Sequence, residues 1–168
     1  PLDQYLELST ELGNGHNFPG NDRNRNGAGS VQFAAHTGGD VGDSHNWRAG
    51  VSWLRTQATN RTWDDTDTSG NAVTNAFTGS SRIVGLDAVW KWAPNGNSSS
   101  ISFKLQGEYF RRTEDGSLTY DTAAASLGTQ TGRYLSTQSG GYVQGVYQFM
   151  PKWRVGYRYD RLSSGSTS

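Results

Sequence analysis

Two regularities together constrain this chain more than anything else in it. Apolar and polar residues alternate one for one in seven separate windows, and the connections between those windows alternate long and short. The windows are 3–12, 30–36, 46–55, 81–92, 100–111, 141–149 and 153–162. A period of two sends successive side chains to opposite faces of a strand, and no window carries a competing 3.6-residue period. Window 81–92 sets Val84, Leu86, Ala88, Trp90 and Trp92 against Gly85, Asp87 and Lys91. Window 100–111 sets Ile101, Phe103, Leu105 and Tyr109 against Lys104, Gln106 and Glu108. Window 153–162 sets Trp153, Val155, Tyr157 and Tyr159 against Arg154, Arg158 and Asp160. The fold class that follows is all-β, with consecutive antiparallel strands.

The connections narrow the class further. Segments 13–29, 56–80 and 112–140 are long; 37–45, 93–99 and 150–152 are short. A soluble sandwich carries long and short loops at both ends. An up-and-down transmembrane β-barrel predicts strict alternation, with short periplasmic turns and long external loops. Such a barrel turns one face to lipid and the other, here rich in charge, to a watery or polar lumen. Trp47, Trp90, Trp92, Phe149 and Trp153 all adjoin short connections, as an interfacial aromatic girdle would. Composition removes the competitors. Fifteen basic against 15 acidic residues leave no excess charge for nucleic acid, and no Cys means no disulfide, thiolate metal site or thiol nucleophile. No run of about 20 apolar residues is present for a membrane helix. The first residues do not form a charged-then-apolar leader. Seven strands do not give the even count of bacterial single-chain barrels. The expectation is therefore a single segment, 1–168, of a larger barrel in a longer chain.

The segments VWKWAPNGN, FKLQGEYFRR and GGYVQGVYQFMPKWRVGYRYDRL resemble Gram-negative outer-membrane porin-like proteins. Within these, the chain is similar to the group described as zinc-regulated outer-membrane proteins. The resemblance covers most of the chain and is most specific in the hairpin 142–162. It implies an outer-membrane β-barrel concerned with passage of small solutes or metal. The chain departs from a whole member of that class in lacking a plug domain and a last strand ending on an aromatic residue.

Residues with chemistry of their own are sparse. Asp22 to Gly27 has the D-x-N-x-N-G spacing that converges oxygens on calcium, but its twelfth position is Phe33, not a carboxylate. Asp65 to Gly70 repeats the spacing with Ala76 at the twelfth position; Asp65 and Asp67, beside Asp64, are the metal candidates. An ordinary solvated turn explains both runs better. His36 and His45 flank one short connection and could approach each other, while His16 falls at the opposite end. Two imidazoles without a third ligand make a weak zinc site. Asp43-Ser44-His45 has hydrolase residue types but no reason to converge as a triad. Glu7, Glu11, Glu108 and Asp160 fall on different strands. No phosphate-binding loop is present, and neither a cofactor nor catalysis is expected.

The strongest functional signal is the charged face. The expected lumen-lining residues are Asp87, Lys91, Lys104, Glu108, Arg154 and Arg158, with Lys91 and Lys104 nearer the 93–99 turn and Asp87 and Glu108 deeper. Leu86, Leu105 and Val155 are expected to meet lipid. The function this implies is porin-like passage of small polar solutes or ions across the bacterial outer membrane. Outer-membrane lipid and those solutes are the partners, and a homo-oligomer is compatible with both. The alternative is a soluble extracellular β-sandwich that binds carbohydrate through exposed Trp and Asn/Asp loops.

Overall fold

Alternation makes a strand only where a neighbour satisfies its backbone, and each window finds that neighbour in the next one along the chain. In the computed structural model, which describes residues 4–13 and 29–168, seven antiparallel strands form one sheet in simple chain order. They are β1 (Gln4–Gly13), β2 (Ser30–Val41), β3 (His45–Thr66), β4 (Ala72–Trp92), β5 (Ser102–Tyr120), β6 (Gln130–Met150) and β7 (Trp153–Thr167). A single 3-10 turn, Pro94–Gly96, is the only helical piece among the described residues. β1 and β7 pair on one side each and not with one another, so the sheet is not closed. The sandwich alternative required two packed layers. Among the described residues there is one sheet.

The strands run further than the alternating windows. Segment 56–80, expected as a long loop, is the far half of a hairpin: β3 continues to Thr66, β4 starts at Ala72, and only 67–71 connect them. Segment 112–140 likewise shrinks to 121–129. The reason is chemical. Beyond Arg55 and before Arg82 neither face is consistently apolar, so alternation fades, while Thr and Val sustain extended backbone. Alternation therefore marks where the two faces differ, and pairing continues where they do not.

Register defines the faces. Following the paired positions across the sheet, Glu7, His36, Gly50, Asp87, Glu108, Tyr142 and Asp160 form one continuous row. The row one residue along, Leu8, Ala35, Val51, Leu86, Tyr109 and Gly141, points the other way. The apolar face is open: Leu8, Leu86, Val143 and Val155 are all more than 45% exposed. Along β4 the polar-face positions Ser81, Ile83, Gly85, Asp87 and Val89 are buried or half-buried, whereas Arg82, Val84, Leu86, Ala88 and Trp90 are exposed. This arrangement is inverted relative to a protein folded around an oily centre.

What apolar core exists sits at the far end of the long hairpins. Phe77 is fully buried beside Val73 and Ala76. Its ring meets Tyr134 edge-on at 5.5 Å and lies under the Arg61 guanidinium at 5.0 Å. Room for it comes from Gly79 and Gly116, paired across β4 and β5. A Cβ on Gly116 would come within 2.2 Å of the Thr78 carbonyl oxygen and 3.0 Å of the Phe77 ring.

Candidate functional site

Tyr and Gln on the polar face are long enough to reach across neighbouring strands, and the small residues among them let charged side chains meet. Gly50 shows this most clearly. It stands between His36 and Asp87 in their shared row. With no side chain there, His36 Nε2 and Asp87 Oδ2 come to 3.2 Å across it. A Cβ at Gly50 would stand 2.1 Å from the His36 ring. Arg48 Nη2 donates to the other Asp87 oxygen at 3.3 Å.

The charged residues are layered by register. Nearest the short connections, Lys91 stands directly opposite Lys104. Neither ammonium has an ion-pair partner among the described residues. Arg154 joins that level from β7 and donates to Gln148 Oε1 at 2.9 Å. Gln148 is itself tied to the β4–β5 connection, donating to the carbonyls of Ser98, Ser99 and Ser100. These side chains border a hollow of about 980 Å³ at the rim, together with Asp40, Asn46 and Ser102.

The next row along the polar face carries Arg48 and Arg158, and the row beyond it carries Glu7, Asp87, Glu108 and Asp160. Arg158 forks onto Asp160, with Nη2 at 2.8 Å and Nε at 3.0 Å, and stacks over the Tyr142 ring at 3.7 Å. The Tyr142 hydroxyl donates to Glu108 at 3.0 Å. Cations nearest the short connections, with Asp40 in the row of Lys91, thus give way to carboxylates two rows deeper, the order expected for Lys91, Lys104, Asp87 and Glu108 by counting back from the 93–99 turn.

Further from the rim the polar face changes character. Leu54, Ile83, Phe110 and Leu162 line a groove of about 830 Å³ there. These residues were missed because Leu54 and Phe110 read as breaks in alternation, not as an inward apolar strip. Beyond them Glu114, nearly buried, accepts from Arg61 at 2.8 Å and from Arg112 at 2.6 Å, while Arg112 Nε reaches Ser81.

The metal candidates have other work. Asp65 Oδ1 accepts from the Thr66 N–H at 2.8 Å. Asp67 accepts from the Ser69 and Asn71 N–H groups, the Asn71 side chain and the Ser126 hydroxyl. The Ser126 hydroxyl first, and the Asn71 N–H next, hold the Asp67 carboxyl down to about 2. Among the described residues no group of three or more His, Cys, Asp or Glu side chains could hold a metal ion. Close by, burial pushes the Asp121 carboxyl up, but N–H donors from Ser126, Ala125 and Gly128 outweigh it and leave the group below the ordinary carboxylate range. Asp67 and Asp121 thus lock the 67–71 turn to the 121–129 connection through Ser126.

His36 and His45 do not meet. The Val41–His45 pairing puts His36 opposite Gly50 on the polar face and sends His45 to the apolar face, where it stacks on Trp90 at 5.6 Å. Ser44 of the Asp43-Ser44-His45 run serves the turn, its Oγ accepting from the Asn95 N–H. Asp22–Gly27 and His16 lie outside the described residues. No family model, curated protein or solved structure matches this chain.

Proposed function

We propose that this sheet is the wall of a porin-like β-barrel in the bacterial outer membrane, through which small polar solutes or ions pass without catalysis. One observation carries the reading: a belt of exposed apolar side chains backs a charged face, half-buried at Asp87 and Glu108 and open at Lys91, Lys104, Arg154 and Arg158. On β4 the belt runs from Val84 to Trp92. At about 3.3 Å per residue and a tilt near 40°, it covers roughly 20–25 Å of height, close to the ~25 Å apolar band of such barrels. Left in water, Leu6, Leu8, Val51, Leu86, Leu105, Val143, Val155 and Tyr157 would expose an oily face across the sheet far larger than soluble monomers carry.

In this reading β1 and β7 pair with strands beyond these seven, whether from the same polypeptide or from another copy, since an open edge is not tolerated in lipid. Trp47, Trp90, Trp92 and Trp153 mark the periplasmic interface, and the 67–71 and 121–129 connections stand outside the cell. The test is flotation of the whole barrel, partner strands of β1 and β7 included, with neutral phosphatidylcholine vesicles after refolding from detergent. Resistance of the floated protein to carbonate extraction supports the reading; a chain that stays soluble and monomeric without detergent overturns it.

A further inference from the structure

On the apolar face, the first outward residue past the belt is an arginine on four strands. On β3 it is Arg55 after Trp53; on β4, Arg82 after Val84; on β5, Arg111 after Tyr109; on β7, Arg161 after Tyr159. All four are exposed. None has an ion pair or a side-chain hydrogen bond among the described residues, whereas the polar-face arginines Arg48, Arg112, Arg154 and Arg158 are all partnered. Arg55 and Arg82 even face each other directly, a like-charge pairing that is unfavourable without an anion between them. From β3 to β7 the arginines step down by successive rows: Arg55 and Arg82 share one, Arg111 pairs with Val84 in the next, and Arg161 pairs with Gly141 in the row of Leu86 and Tyr109. A slanting line of this kind stays level in a membrane when strands tilt. No Asp or Glu occupies the apolar face between this line and the tryptophan rim. The opposite border of the belt, at Trp47, Trp92, Phe103 and Trp153, carries aromatics and no arginine.

We propose that Arg55, Arg82, Arg111 and Arg161 form a collar that binds the phosphate-bearing headgroups of the leaflet on the long-hairpin side. The proposal rests on the membrane reading above and adds a lipid class and an orientation to it. Guanidinium groups grip phosphate through paired N–H donors and lose less on desolvation than ammonium groups. A charged line at the edge of an apolar belt meets headgroups at the depth where they lie. The four arginines together would bridge neighbouring headgroups and fix the height of the sheet in the bilayer.

The experiment compares the whole barrel, with the strands that pair with β1 and β7 present, refolded into vesicles of phosphatidylcholine alone and of phosphatidylcholine doped with phosphatidylglycerol or with lipid A. The unaltered chain should insert into all of them and unfold in urea more slowly in the doped vesicles, up to about thirtyfold for each pair of arginines engaged. Arg55→Gln with Arg82→Gln, and separately Arg111→Gln with Arg161→Gln, should each insert normally and lose part of that difference. Lys152→Gln, which removes a charge from the β6–β7 turn, should lose none of it. Inorganic phosphate added to neutral vesicles should not reproduce the slowing. Equal unfolding rates in neutral and doped vesicles overturn the collar while leaving the membrane reading intact, and so does a headgroup effect that survives both double variants. Failure to insert into any vesicle overturns both.

Discussion

Single atoms decide whether strands of this sheet can lie together, and glycine is where that is most visible. Gly116 and Gly79 face each other under Phe77, and a methyl on Gly116 would press into a backbone carbonyl at 2.2 Å, which has nowhere to go. Gly145 meets nothing nearer than the Phe103 ring at 3.6 Å. Gly116→Ala should therefore cost about 1–3 kcal/mol of stability through overpacking, while Gly145→Ala should leave the urea midpoint nearly unchanged. Equal effects would mean that the Phe77 seat does not limit packing. Facing is tested at the same scale. Leu105 lies on the apolar face at the belt and Lys104, its neighbour, on the polar one. Leu105 pairs with Trp90 at the aromatic border, so in bilayers Leu105→Arg should destabilise by about 1 kcal/mol, less than the roughly 2–4 kcal/mol of a midplane site, and Lys104→Ala by less still. The reverse order would remove the lipid assignment.

Between elements, the long hairpins are joined by a polar lock where no apolar belt exists to define them. Asp67 closes its own turn and takes the Ser126 hydroxyl from the β5–β6 connection, while Asp121 gathers N–H groups of that connection. A carboxyl whose folded pKa lies below its unfolded value stabilises the fold at every pH above the unfolded value, near 3.9. That contribution is lost as pH falls through the folded value, about 2 for Asp67. Amide shifts of Ser69, Asn71 and Ser126, followed by NMR down the acid range, should be flat above about pH 4 and then move with a midpoint near 2. Ser126→Ala should raise that midpoint toward the ordinary aspartate value. A midpoint already ordinary in the unaltered chain would break the lock.

For the molecule as a whole, the ordered layers on the polar face carry the consequence. Lys91, Lys104 and Arg154 stand at the rim without carboxylate partners, and the deeper carboxylates are largely engaged by His36, Arg48, Tyr142 and Arg158. Lys91, Lys104 and Arg154 outnumber Asp40 and Asp43 at the rim, leaving it net positive, and rings of charge set the sign preference of a pore. Planar-bilayer recordings of the proposed barrel should show a weak preference for anions. Lys104→Glu with Arg154→Glu should move the reversal potential under a salt gradient toward cations. Conductance unmoved by both changes would mean that these residues do not line the path.

Alternation by itself determined the strands, their order and which side chains share a face, because the two-residue period of a strand is written directly in the sequence. The opposition of Lys91 with Lys104 and of Asp87 with Glu108 was legible in the same way, by counting back from one short turn. Three things were not legible. The extensions of β3 to β6 have no apolar periodicity, since their few apolar residues, such as Val73 and Phe77, are scattered among polar ones and pairing extends the strands. The separation of His36 from His45 depends on a register that chain distance does not reveal. The slanting arginine line, the Asp67–Asp121 lock and the Phe77 seat each collect residues from strands far apart in the chain. Their chemistry exists only once backbone hydrogen bonding has laid those strands side by side, which local pattern cannot specify and tertiary pairing alone decides.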